Sequence, residues 1–93
     1  MPYNYKTSKN LDIILERLLR KDKNLYEQLI KKINEIINSY DVEHYKNLRE
    51  DLKDFKRVHV GHFVLIFKFI KNENKIAFVD FDHHDNIYKK RFE

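Results

Sequence analysis

Four of the five histidines lie in residues 55–88, together with basic side chains and a tyrosine. Imidazoles transfer protons near neutral pH, and neighbouring cations stabilise a crowded phosphate. These groups suit RNA cleavage, because RNA carries its own nucleophile, the ribose 2′-hydroxyl. The candidates for proton transfer and hydrogen bonding are His59, His84 and Tyr88, and those for positive charge are Lys53, Lys56 and Arg57.

Two other interpretations of these residues stay open from their types alone. Any single histidine also suits a solvated sheet surface. A phenylalanine-rich sheet with a basic rim also suits RNA binding without cleavage, because bases stack on aromatic rings.

Metal chemistry is the less favoured interpretation of the same stretch. Two histidines and a carboxylate could bind a divalent ion. However, His83 and His84 would point to opposite faces of a strand that continues through them, and no HExxH spacing is present. We therefore expect no metal ion and no other cofactor. Disulfides and thiolate zinc sites are excluded because the chain has no cysteine.

The 93 residues suffice for one domain, which we expect to span 1–93. The formal net charge of +4 mildly favours an anionic partner, either nucleic acid or an acidic protein. The first ten residues have no apolar core typical of a signal peptide, and no apolar run is long enough to cross a bilayer. We expect a cytoplasmic protein with no membrane partner.

The N-terminal half predicts a strand and two helices. Tyr3 and Tyr5 alternate with polar residues, as in a short strand. Ser8 is a candidate N-cap, followed by an apolar helical face over 11–19. Asn24 and Glu27 resemble the capping box of a second helix, whose apolar stripe extends over 26–40. Two adjacent amphipathic helices predict a hairpin that covers a sheet.

The C-terminal half predicts the sheet. Strands are expected at Phe55–Val60, 62–70 and 76–81, with Gly61 at a tight reversal and a turn over 71–75. In the last strand, alternation places Ile76, Phe78 and Asp80 on one face and Ala77, Val79 and Phe81 on the other. Helical turns are expected at 45–49 and within 85–92. The predicted fold is α+β, in which an N-terminal strand and a helical hairpin pack with a small antiparallel sheet in the order β-α-α-β-β-β.

At Arg57 to Tyr88 the sequence resembles the RelE family of toxins from type II toxin–antitoxin pairs, whose superfamily includes ParE-type toxins, and with the helix hairpin and the length the resemblance covers nearly the whole chain. The matching features are the connector Leu48-Arg49, the strand–turn–strand RVHVGHFVLIF over 57–67, and the ending HHDNIY over 83–88. The resemblance implies a microbial RNase-like fold and metal-free cleavage of mRNA on the ribosome by attack of the 2′-hydroxyl. It also implies a small cognate antitoxin that wraps around the domain.

The resemblance assigns roles by position. Arg57 and Tyr88 match the family, whereas His59 and His84 stand where basic residues are usual and Val64 stands where a phosphate-binding arginine is expected. The expected catalytic residues are Arg57, His59, His84 and Tyr88, and the expected nucleic-acid-binding residues are Lys53, Lys56, His62 and His83. An imidazole lacks the permanent charge and fixed fork of a guanidinium. The alternative is therefore a ParE-like or catalytically weakened toxin that acts by binding its target.

Overall fold

The computed structural model describes residues 2–48 and 54–92, which form a four-stranded sheet with a helical hairpin on one face. In chain order, the elements are β1 (Asn4–Thr7), α1 (Lys9–Lys21), α2 (Lys23–Ile37), β2 (Phe55–Val60), β3 (Phe63–Ile70), β4 (Lys75–His83) and α3 (His84–Ile87). Short 3-10 turns occupy Val42–His44 and Lys71–Glu73. The predicted α+β class and order of elements are confirmed.

Short polar side chains begin both long helices. The Ser8 hydroxyl accepts a hydrogen bond from the Leu11 amide at 3.0 Å, as predicted. The second cap is Asp22, whose carboxylate accepts from the Leu25 amide at 3.2 Å. The prediction of a capping box starting at Asn24 is therefore wrong. The two helices are separated only by Asp22, because this one residue ends α1 and caps α2.

The strand order is β1-β4-β3-β2. Strands β2, β3 and β4 pair antiparallel, as predicted. Strand β1 joins the edge of β4 in parallel, with Tyr5 opposite Ile76, so the sheet is mixed. A parallel pair needs a long crossover connection, and here the rest of the fold separates the two strands along the chain.

A β-bulge interrupts the pairing of β3 with β4. Ile66 pairs with Asp80 and Phe67 with Phe78, so Val79 is the extra residue. The simple alternation predicted for 76–81 is therefore wrong. Phe81 packs in the same cluster as Ile76 and Phe78, whereas Val79 packs on the other cluster, because one inserted residue reverses the faces beyond it.

The predicted reversal between β2 and β3 is confirmed. Gly61 has φ +62°, a conformation that disfavours a side chain. His62 belongs to this turn, and β3 begins at Phe63, one residue later than expected. The helical turn expected at 45–49 is found instead at Val42–His44 in the described part of the chain, and Arg49 lies outside the described residues.

Apolar residues cover both faces of the sheet. The hairpin face holds the first cluster, which includes Leu11, Leu29, Ile33, Ile36, Leu65, Phe67, Ile76 and Phe78. The opposite face, here called the second face, holds Leu48, Phe55, Val64, Ile66 and Ile87, with Val79, Tyr88 and Phe92 packed against them. The segment from α3 onward thus closes over the second face. No helix within 2–48 or 54–92 is long and apolar enough to cross a membrane.

Candidate active site on the second face

Strand β2 places its two candidate catalytic side chains, Arg57 and His59, on the second face. Successive side chains alternate along a strand, so Arg57 and His59 point to the same side as Phe55, which is buried in the second cluster. His59 is exposed, and Arg57 is partly buried. The structure therefore brings two of the predicted catalytic residues onto one surface.

The guanidinium of Arg57 has an unsatisfied donor. Its Nε is buried and has no hydrogen-bond partner among the described residues. A buried donor without an acceptor costs about 1–3 kcal/mol. Because this atom is closed to solvent, a phosphate bound by Arg57 would contact the rest of its partly exposed side chain, whose guanidinium suits a phosphate geometrically.

The Lys56 side chain points away from the second face and contacts the connector between α2 and β2. Its ammonium donates to the Tyr45 carbonyl at 3.0 Å, the Glu43 carbonyl at 3.3 Å and Asn47 Oδ1 at 3.3 Å. The structure thus uses Lys56 to hold the connector between α2 and β2. Its role in nucleic-acid binding stays a prediction, as does that of Lys53, which lies outside the described residues.

Val64 lies beneath the centre of this surface. It pairs with His59 across β2 and β3, is fully buried and belongs to the second cluster. The position for which the resemblance implies a phosphate-binding arginine is therefore apolar and closed to solvent. Any charge offered to a substrate on this surface must come from its neighbours.

Tyr88 directly follows α3 and packs against the second cluster. Its position there depends on Ile87, which is fully buried in that cluster. Tyr88 therefore shares the second face with Arg57 and His59, although it is about thirty residues distant in sequence.

The other three histidines of the stretch meet at one end of the sheet, here called the histidine end (His62, His83 and His84). The rings of His83 and His84 are 4.4 Å apart, and the His62 ring lies 6.3 Å and 6.4 Å from them. The His84 amide donates to the His62 carbonyl at 3.0 Å. The alternation that a continuous strand would give to His83 and His84 does not apply, because β4 ends at His83 and α3 begins at His84.

His59 and the histidine end are separate parts of the site. His59 lies on β2, and β3 intervenes before β4. Two strand spacings amount to about 10 Å. A substrate that contacts both His59 and His84 must therefore lie across β3.

At the β2 edge of the sheet, His59 also lines a groove whose basic groups come from α2, the helix that covers the opposite face. It has a volume of about 350 Å³ and is lined by Lys31, Lys32 and Glu35 of α2 together with His59 and Gly61. The Lys32 ammonium lies 2.7 Å from the Glu35 carboxylate and lowers the pKa of Glu35. The polar stripe of α2 was visible in the sequence, but its position beside β2 depends on tertiary packing.

A network of two carboxylates and a lysine around the buried Asp80 was also missed. Lys90 Nζ lies 2.7 Å from Asp80 Oδ2 and 2.9 Å from Asp82 Oδ2, and Asn10 Nδ2 donates to Asp80 Oδ1 at 2.9 Å. Burial opposes the charge of Lys90, but its hydrogen bonds to the two carboxylates outweigh this and raise its pKa. Acids at alternate positions followed by a basic run were the available signal. The network anchors the chain just beyond Tyr88.

Comparison with known proteins adds a family and related structures. The family model described as "ParE toxin of type II toxin-antitoxin system, parDE" matches residues 5–88. The RelE4 protein of Methanocaldococcus jannaschii is 48% identical over 96% of this chain and 94% of its own.

Two solved structures are similar in fold. The RelBE2 toxin–antitoxin complex of Mycobacterium tuberculosis contains a chain with TM-score 0.72 and 14% identity, which covers 92% of this chain and 95% of that one. A metal-bound toxin from Helicobacter pylori has TM-score 0.71 and 26% identity, and the coverage is 91% and 98%.

Proposed function

The chain belongs to the RelE/ParE superfamily of toxins from type II toxin–antitoxin systems, and from that premise we propose that it is a ribosome-dependent mRNA endonuclease that inhibits translation. The placement of Arg57, His59 and Tyr88 on the same face of the sheet carries this proposal, because a guanidinium suits a phosphate and an imidazole transfers protons. The proposed substrate is mRNA on the ribosome in the cytoplasm. The proposed protein partner is a cognate antitoxin, as in the RelBE2 complex.

The proposed reaction is a metal-free transesterification. The 2′-hydroxyl attacks the adjacent phosphorus, the bond from phosphorus to the 5′-oxygen breaks, and the products are a 2′,3′-cyclic phosphate and a 5′-hydroxyl. A base removes the proton of the 2′-hydroxyl, and an acid protonates the leaving 5′-oxygen. The histidines His59 and His84 supply proton transfer, Arg57 binds the phosphate, and Tyr88 stacks on or hydrogen-bonds the nucleotide.

Cleavage of mRNA on programmed ribosomes tests this proposal. Loss of a residue that transfers a proton lowers the rate by about 10²–10⁴-fold, so we expect His84→Ala to reduce cleavage by that range. Tyr88→Phe and Arg57→Ala are expected to reduce it as well. His44→Ala is the matched control, because His44 is exposed in the connector after α2 and belongs neither to the second cluster nor to the histidine end. Absence of any product with a 5′-hydroxyl would refute the enzymatic proposal.

Burial of Val64 favours a second candidate. The apolar centre of the surface lacks a charge at the phosphate position, and the matching family model is of ParE type. The second candidate is a toxin that arrests growth by binding a target without cutting RNA. It predicts growth arrest on expression that survives simultaneous His59→Ala, His84→Ala and Tyr88→Phe, whereas the nuclease predicts that this triple variant is harmless.

A further inference from the structure

Three consecutive side chains converge where β4 passes into α3. One ligand atom from each of His83, His84 and Asp85 lies within 4.8 Å of the other two. The Asp85 carboxylate lies 3.1 Å from His84 Nδ1 and 3.5 Å from His83 Nδ1. Two imidazoles and a carboxylate therefore face one small volume.

The backbone produces this convergence. His83 has φ −59° and ψ 145°, and it ends the strand as the N-cap of α3, where its Nδ1 accepts from the Asp85 amide at 3.2 Å, a bond that a metal ion on that nitrogen would replace. His84 is already helical, so its side chain does not alternate with that of His83. The bond from the His84 amide to the His62 carbonyl anchors the junction to the β2–β3 turn. Fixed backbone positions reduce the cost of assembling a ligand set.

The donor types select a class of ion. Imidazole nitrogens suit Zn²⁺, Ni²⁺ and Cu²⁺ better than Mg²⁺ or Ca²⁺, which prefer oxygen. Zinc bonds to nitrogen and oxygen of about 2.0–2.2 Å place tetrahedral ligands about 3.4 Å apart. The present spacing approaches this value, and side-chain rotation can close the remainder. The side chains of His83, His84 and Asp85 are 36%, 44% and 71% exposed, so an ion can enter from solvent.

From this geometry, we propose that His83, His84 and Asp85 bind one transition-metal ion of the zinc class, and that His62 is placed to add a further ligand. The expectation of no metal rested on the missing HExxH spacing and on a strand that continues through His83 and His84, and the strand ends at His83. A second consequence rests on the proposed function. Metal at His84 occupies a nitrogen needed for proton transfer, so zinc inhibits the nuclease.

Calorimetric titration of the tag-free protein with ZnCl₂ tests binding. We expect saturable binding of one ion per chain. Removing even a hydrogen-bond partner of a metal ligand weakens affinity by about 10–100-fold. We therefore expect His83→Ala, His84→Ala and Asp85→Asn each to weaken it by at least about tenfold. His44→Ala is the matched control and should bind as the parent does. Circular dichroism checks that each variant is folded.

Two results would overturn the metal site. One is absence of saturable binding by the folded parent. The other is unchanged affinity in the double variant His83→Ala/His84→Ala, since the ion would then bind elsewhere.

A zinc titration of the cleavage assay tests the inhibition separately. Each variant is compared with its own activity without added zinc, and we expect Asp85→Asn to need at least about tenfold more zinc than the parent for the same inhibition. Equal zinc sensitivity of the two proteins would refute inhibition through this site. Cleavage without zinc binding would refute the metal site and leave the nuclease intact, whereas zinc binding without cleavage would do the reverse.

Discussion

Lys90 links the C-terminal segment to the last strand through two carboxylates. Its ammonium lies 2.7 Å from Asp80 and 2.9 Å from Asp82, and the Asp80 side chain is only 5% exposed. Removal of this ammonium leaves a buried carboxylate with one charged partner fewer. We expect Lys90→Met to lower the free energy of unfolding by roughly 1–3 kcal/mol, the range for hydrogen bonds to charged groups. Urea denaturation followed by circular dichroism measures the change.

The pH dependence of this loss provides its control. Burial alone would raise the pKa of Asp82, but hydrogen bonds from Lys90, Asn86 and the His83 amide outweigh it and lower the pKa. Because the pKa of the Asp82 carboxyl is lowered by folding, its carboxylate stabilises the folded protein fully above the unfolded-state pKa of about 3.9. This stabilisation is lost as pH falls through the folded-state pKa. The deficit of Lys90→Met should therefore shrink in acid. Lys89→Met removes the same charge from an exposed neighbour and should cost little at either pH. A deficit that is unchanged in acid would contradict this assignment.

The residues of the candidate site were predictable in type but not in arrangement. Arg57 and His59 could be placed on one face because β2 alternates regularly. The close approach of the His83 and His84 side chains could not be predicted, because it depends on the residue at which β4 ends. Burial of Val64, in contrast, agrees with the almost continuous apolar run of β3, which is typical of a central strand covered on both faces.

At the scale of elements, the β2–β3 turn depends on the backbone conformation of Gly61. Its φ of +62° is unfavourable for an L-residue, and a Cβ there would meet no described atom within 4 Å. Gly61→Ala should therefore lower stability through backbone strain alone, by about 1–2 kcal/mol. Thermal denaturation measures the loss.

Synthesis of the chain with D-alanine at position 61 is the matched control for that turn. The D-residue adds the same methyl group but favours positive φ, so we expect stability equal to or above that of the parent. If both enantiomers destabilise equally, strain at Gly61 is not the cause. The turn also carries His62, whose carbonyl accepts from the His84 amide, so the L-alanine variant should weaken zinc binding as well.

Local sequence patterns were enough to predict those helices and strands whose bounds are set by their own residues. Strand β2 was predicted at its observed bounds, and Ser8 as the cap of α1. The parallel pairing of β1 depends on a partner about seventy residues away, which no local pattern reveals. The bulge at Val79 likewise reflects the fit of β4 to β3 and not a feature of β4 alone.

At the scale of the whole molecule, one sheet separates two apolar clusters. The hairpin covers the first, and the segment from α3 onward covers the second. Strand β3 contributes to both, since Leu65 and Phe67 belong to the first cluster whereas Val64 and Ile66 belong to the second. Because strand β3 is shared, we expect the candidate site on the second face to unfold together with the core beneath the hairpin.

This coupling predicts a single unfolding transition, even when only one face is weakened. Leu29 and Ile87 are fully buried, one in each cluster, and truncation of a buried leucine or isoleucine to alanine costs about 2–5 kcal/mol. We expect Leu29→Ala and Ile87→Ala each to shift the whole transition, with far-UV circular dichroism and tyrosine fluorescence still coincident. The exposed Ile13 supplies the control Ile13→Ala, which should cost far less. A separate early fluorescence change in Ile87→Ala would show instead that the segment carrying Tyr88 opens independently, and the nuclease would then act through a locally mobile site.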